Sequence, residues 1–229
     1  MTINLTLLRR WYFLIAGFAL LAGAQSIFFP RWPQAPALNK TELASHLEAS
    51  GVKIQILPSH PPTRTYDLAS STQLAWRIAD GSELNLMRAS SRELKDYSVE
   101  YFTKANSRLQ LQKVTVERIP MPLAKGRLQK RYALQTCITP GTNGQPGLGF
   151  TGEQIMEARS RHPLSTYQRL LEFLGLPPST GNSCVVVTLK AAPNQSIPDR
   201  VLFQKIIKSI MPLFASGDHK ASPTNHSAS

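Results

Sequence analysis

Apolar and polar positions along this chain change period several times, and each change marks an element. Trp11 to Phe29 carries no charge, follows Arg9-Arg10 and precedes Arg31. As a helix this run rises about 28 Å, close to the roughly 30 Å of a bilayer's hydrocarbon core. Val52 to Leu57 alternates through Val52, Ile54 and Ile56 and predicts a strand after a short helix over Thr41 to Ser50. Gln73 to Ala79 and Ser82 to Arg88 flank Asp80-Gly81, the dipeptide of a type I′ hairpin. Ser90-Ser91 with Glu93 or Asp96 caps a helix predicted to run to about Asn106. Leu109 to Ile119 and Leu128 to Ile138 alternate again and predict a second antiparallel pair around Pro120-Met121-Pro122. Thr151 and Gln154 form a capping box for a helix through Arg159. Leu164, Tyr167, Leu170, Leu171 and Leu174 share one helical face that Gly175 stops. Cys184 to Leu189 is a β-branched strand. Ser196 is placed to cap a last helix, with Phe203, Ile206, Ile207 and Ile210 of Val201 to Phe214 on its apolar face.

Strands and helices do not alternate as βαβ units, which predicts an α+β fold with a mostly antiparallel sheet and flanking helices. The uncharged N-terminal run adds a transmembrane helix to that expectation. Trp11 and Tyr12 at one end, and Phe28 and Phe29 at the other, fit the aromatic belts of an anchor. A second reading makes the same run a signal peptide with a small-x-small site at Ala22-Gly23-Ala24. Both readings keep the N-terminus cytoplasmic in a single-pass protein of the plasma (inner) membrane and export the rest. The division is then 1–10 cytoplasmic, 11–29 anchor or uncleaved signal, 30–40 a proline-rich stalk, 41–214 an extracytoplasmic α+β domain, and 215–229 a polar tail predicted to be disordered.

Lys and Arg total 26 against 14 Asp and Glu, a net charge of +12. That sign favours anionic head groups, acidic polysaccharide or nucleic acid. Export argues against nucleic acid, and the basic residues are dispersed rather than striped, as on an ordinary solvated surface. Cys137 and Cys184 are the only cysteines. In an oxidising compartment they pair; otherwise they are buried thiols, or one of them is reactive.

Candidate chemistry is sparse. Gly147-Leu148-Gly149-Phe150-Thr151-Gly152 satisfies G-x-G-x-x-G, but Pro140 to Pro146 separates it from the preceding strand, so a pyrophosphate cradle is not expected. His46, His60, His162, His219 and His226 lack metal-ligand spacing, and no cofactor is implied. Cys137 could act as a nucleophile only with a base such as His162 and a cation such as Arg159 in reach. No G-x-S-x-G, P-loop or paired carboxylates occur.

The N-terminal run, the Asp80-Gly81 hairpin and Leu134-Gln135-Thr136-Cys137-Ile138-Thr139-Pro140-Gly141 together resemble the cyanoexosortase A system-associated proteins, accessory proteins of cyanobacteria encoded with a membrane-embedded exosortase. The likeness continues through Thr151 to Ile155, Tyr167 and Asn182-Ser183-Cys184, while Val185 and Val186 stand where members often have an aromatic. It implies a partner, the exosortase, and a role in protein sorting and exopolysaccharide export. The exosortase uses a cysteine, an arginine and a histidine in membrane helices, and this chain's one apolar run has no cysteine. The expectation is thus a non-catalytic accessory protein, and the rival reading is a cell-envelope enzyme using Cys137.

Overall fold

A computed structural model describes residues 9–18, 20, 38–63, 68–91, 98–104, 106–139, 146–160 and 183–214. Its centre is a nine-stranded sheet in which every pairing is antiparallel. The strands are β1 (Ile54–Ile56), β2 (Leu68–Ser70), β3 (Leu74–Ile78), β4 (Glu83–Ser91), β5 (Gln112–Glu117), β6 (Leu123–Leu128), β7 (Arg131–Thr139), β8 (Gly147–Gly149) and β9 (Ser183–Lys190). Their order is β1-β3-β4-β9-β7-β6-β5, with β2 also on β4 and β8 also on β7. The last strand therefore fills the centre. All of β9 but Ser183 is buried, because its β-branched run is covered on both faces.

One face of the sheet carries α1 (Lys40–Ala49) and α4 (Arg200–Ile210). Leu43 and Leu47, one turn apart on α1, meet Phe203, Ile206, Ile207 and Ile210 of α4 over Trp76, Leu86, Val187 and Leu189. Asn39 caps α1 by accepting from Glu42 N–H. Its far end closes as a Schellman motif: Gly51 at φ +78° donates to Glu48 O, and Val52 donates to Leu47 O. The opposite face carries α2 (Val99–Thr103), a 3₁₀ turn over Ser107–Leu109 and α3 (Gly152–Ser160), packed on Met87, Ala89, Cys137 and Val186.

Several expectations are corrected. Residues 9–18 are helical, with Trp11 and Tyr12 exposed, but ten residues rise only about 15 Å. Among the described residues no helix is long and apolar enough to cross a membrane. The predicted transmembrane helix over 11–29, and the single-pass plasma-membrane placement built on it, are therefore overturned. Phe28 and Phe29 lie outside the described residues, as do the helix expected over Leu164 to Leu174 and the tail 215–229. Ser90 and Ser91 belong to β4, and the short helix that follows is capped by Ser98. Asp199, not Ser196, caps α4, accepting from Val201 and Leu202 N–H.

The Asp80-Gly81 turn is not type I′. Asp80 keeps a negative φ, Gly81 alone is left-handed at +86°, and Gly81 N–H donates to Ile78 O. This is a three-residue loop with a glycine bulge, held by Asp80 accepting from the N–H and hydroxyl of Ser82. The left-handed pair lies instead at Gln129 (+50°) and Lys130 (+71°), joining β6 to β7. The predicted second pair of strands is thus a three-strand meander, β5-β6-β7.

Candidate functional site

Cys137 on β7 and Cys184 on β9 are joined in a disulfide, with their Cα atoms 5.7 Å apart. Cys137 registers with Val186, which makes Cys184 its diagonal neighbour on the same face. Neither cysteine is exposed at all. Bonded and sealed in this way, Cys137 offers no thiolate to a substrate. Arg159 is the penultimate residue of α3, and His162 lies outside the described residues, so among the described residues Cys137 is joined to Cys184 and not to a base.

The glycines of G-x-G-x-x-G have a packing role. A Cβ on Gly147 would lie 2.6 Å from the Ala158 Cβ, and one on Gly149 would lie 2.8 Å from the Ile155 backbone nitrogen. They let α3 lie directly on β8. The helix start is satisfied internally, since Gln154 accepts from Phe150 and Thr151 N–H while Thr151 Oγ1 accepts from Gln154 N–H. No group of three or more metal-ligating side chains occurs among the described residues.

The feature best suited to binding is the outer part of the meander. Edge strand β5 is exposed along nearly its whole length, and β6 and β7 beside it present Arg127 and Tyr132 to solvent. The Arg127 guanidinium lies 5.1 Å from the Tyr132 ring centroid and donates to the Tyr132 hydroxyl at 3.3 Å. That hydrogen bond, then the charges of Arg127 and Lys113, hold the Tyr132 hydroxyl below its ordinary phenolic range. Lys113 reaches the cluster through a bulge between Gln112 and Thr115, where its φ is +52°. Lys130 adds a charge from the β6–β7 turn.

Nearby charges sort clearly. Glu117 pairs with Lys125 at 2.5 Å and Arg200 at 2.8 Å, which neutralises that end. Among the described residues Lys113, Arg127 and Lys130 have no acidic partner. Arg127 and Lys113 at the half-exposed Tyr132 ring, with Lys130 in the adjoining turn, give this end of the meander a positive charge suited to polyanions. Dispersed in the sequence, these residues converge only because β6 exists. Its signal was present as alternation: Lys125 and Arg127 interleave with Ala124, Gly126 and Leu128.

The chain matches no family model, no curated protein and no solved structure.

Proposed function

We propose that this chain is a non-catalytic accessory factor of an exosortase-type protein-sorting and exopolysaccharide system, and that it works by binding. The observation that carries the binding role is Arg127 and Lys113 gathered at Tyr132 with no acidic partner among the described residues. An acidic polysaccharide suits it, because successive carboxylates or sulfates engage several cations while a sugar ring lies on the aromatic edge. The exosortase partner rests on the sequence resemblance. The sealed state of Cys137 weighs against the cysteine-enzyme reading.

Two measurements test this. Co-purification from mild detergent with an exosortase-type membrane protein supports the assignment, and repeated recovery without one counts heavily against it. Titration with alginate and with neutral dextran tests the surface. The wild-type chain should retain alginate only, and the double substitution Lys113→Ala with Arg127→Ala should weaken it at least tenfold. Equal retention of both polymers, or no effect of the substitutions, removes the polysaccharide contact.

A further inference from the structure

We propose that Arg88 and Ser90 form a receptor for one small oxyanion, a carboxylate or phosphate group carried by a ligand. Both residues lie on β4 and project to the sheet face that carries α1 and α4. Arg88 is 8% exposed and Ser90 5%. The Arg88 Nε and the Ser90 Oγ are fully buried, and neither has a hydrogen-bond partner. Among the described residues no carboxylate pairs with the guanidinium.

A lone buried cation is strongly destabilising, and an apolar side chain of similar volume would serve the fold better. Among the described residues the other buried cation, Lys190, is satisfied, and so is the partly buried Arg131. Lys190 pairs with Glu83 at 3.4 Å and donates to Gln129 at 3.2 Å, and Arg131 pairs with the same Glu83 at 3.0 Å. Arg88 is the exception, and burial alone pushes its ionisation downward from the ordinary arginine value.

Alternate residues on one strand stand about 7 Å apart, so an anion between the two side chains can accept from the guanidinium fork and the serine hydroxyl together. The Phe214 ring lies 5.6 Å from the guanidinium carbon, a cation–π contact that supplies no hydrogen-bond acceptor. The strand is pinned at this position, with Arg88 N–H donating to Ser71 Oγ at 3.1 Å and Ser71 N–H donating to Arg88 O at 2.7 Å. This site is separate from the polysaccharide surface, and neither proposal depends on the other.

The test uses the full chain at constant ionic strength, titrated calorimetrically with acetate, succinate and inorganic phosphate. At least one of these should bind saturably, and the tighter class identifies the ligand group as carboxylate or phosphoryl. At 100 times its Kd that anion should raise the folded-to-unfolded ratio about 100-fold. Ser90→Ala should weaken binding about tenfold, and Arg88→Met should abolish it. In anion-free buffer Arg88→Met should be at least as stable as the wild type, since it removes an uncompensated charge. The proposal is overturned if no probe saturates below 50 mM, or if Arg88→Met binds them equally. It is also overturned if Arg88→Met is markedly less stable or fails to fold, because the guanidinium would then already have an anionic or hydrogen-bonding partner within the chain.

Discussion

Replacing Cys137 by alanine breaks the disulfide cross-link between β9 and the β5–β8 half of the sheet. The bridge closes a loop with a sequence separation of 47. In the chain-entropy account a loop of that length stabilises the fold by about 4 kcal/mol. Each substitution also removes a fully buried sulfur and leaves a small void, which adds about 1 kcal/mol. Either single variant should therefore lose about 5 kcal/mol and the double variant about 6, because there is only one bridge to break. The single effects fail to add by about 4 kcal/mol, as expected for two residues in one bond. A domain's whole stability is commonly 5–15 kcal/mol, so the variants sit near the edge of folding. Urea unfolding followed by far-ultraviolet circular dichroism measures this, and the oxidised wild type should show the smaller m-value because its unfolded chain stays cross-linked. Single effects that sum to the double effect, or wild-type unfolding indifferent to a reductant, would refute the reasoning.

Three further outcomes follow from local geometry. Lys130→Gly should stabilise the chain by about 1 kcal/mol, read as a rise in Tm, since Lys130 sits at φ +71° where a side chain is strained. Gly149→Ala should cost about 2 to 3 kcal/mol, because the new Cβ meets helix backbone 2.8 Å away and the helix must lift; an NADH fluorescence titration should be flat in both forms. Glu83 is raised by burial, but its hydrogen bond to Arg131 and the charges of Lys190 and Arg131 outweigh this and leave its carboxyl below the ordinary range. Its contribution is therefore present above the unfolded pKa near 4.5 and is lost as pH falls through the lower folded value. Glu83→Gln should lower stability at pH 7 by about 1 kcal/mol and flatten the decline below pH 4.5 in a series of thermal melts.

Period and capping carried the reading of the elements well where packing agrees with local preference. Phe203, Ile206, Ile207 and Ile210 fall on the face of α4 that is buried, and Thr151 with Gln154 forms the capping box. Failures came where a local signal had two solutions. Asp80-Gly81 fits a type I′ turn and a bulged loop equally, and the Asp80 bonds to Ser82 favour the second. Strand β6 is masked in the sequence because Gly126 and two cations depress its β propensity; the glycine is needed, since a Cβ there would lie 2.9 Å from Gln112 O. The transmembrane expectation is overturned on what is described: only 11–18 and 20 of the uncharged run are, and no helix among the described residues is long and apolar enough to cross a membrane. Neither cationic feature is legible in the sequence: Arg127 and Lys113 meet Tyr132 only through strand pairing, and Arg88 and Ser90, neighbours on one face of β4, are buried only by packing that brings Phe214 over Arg88.

Those two cationic features differ in burial, and burial decides what each can recognise. A unit charge pair 4 Å apart is worth about 1 kcal/mol in bulk water and about 4 kcal/mol at an effective dielectric constant of 20. Lys113, Arg127 and Lys130 lie in the first regime, so a useful affinity there requires several contacts and a polymeric ligand. Arg88 lies in the second, where one oxyanion suffices and specificity is high. Salt separates the regimes, since the screening length shrinks from about 10 Å at 0.1 M to about 3 Å at 1 M and acts mainly on exposed charges. Raising sodium chloride from 50 to 500 mM should weaken alginate binding at least thirtyfold and weaken the Arg88 probe anion less than fivefold, both measured by calorimetry. If the two affinities fell in parallel, both sites would be solvent-exposed charge, and the division by burial would be wrong.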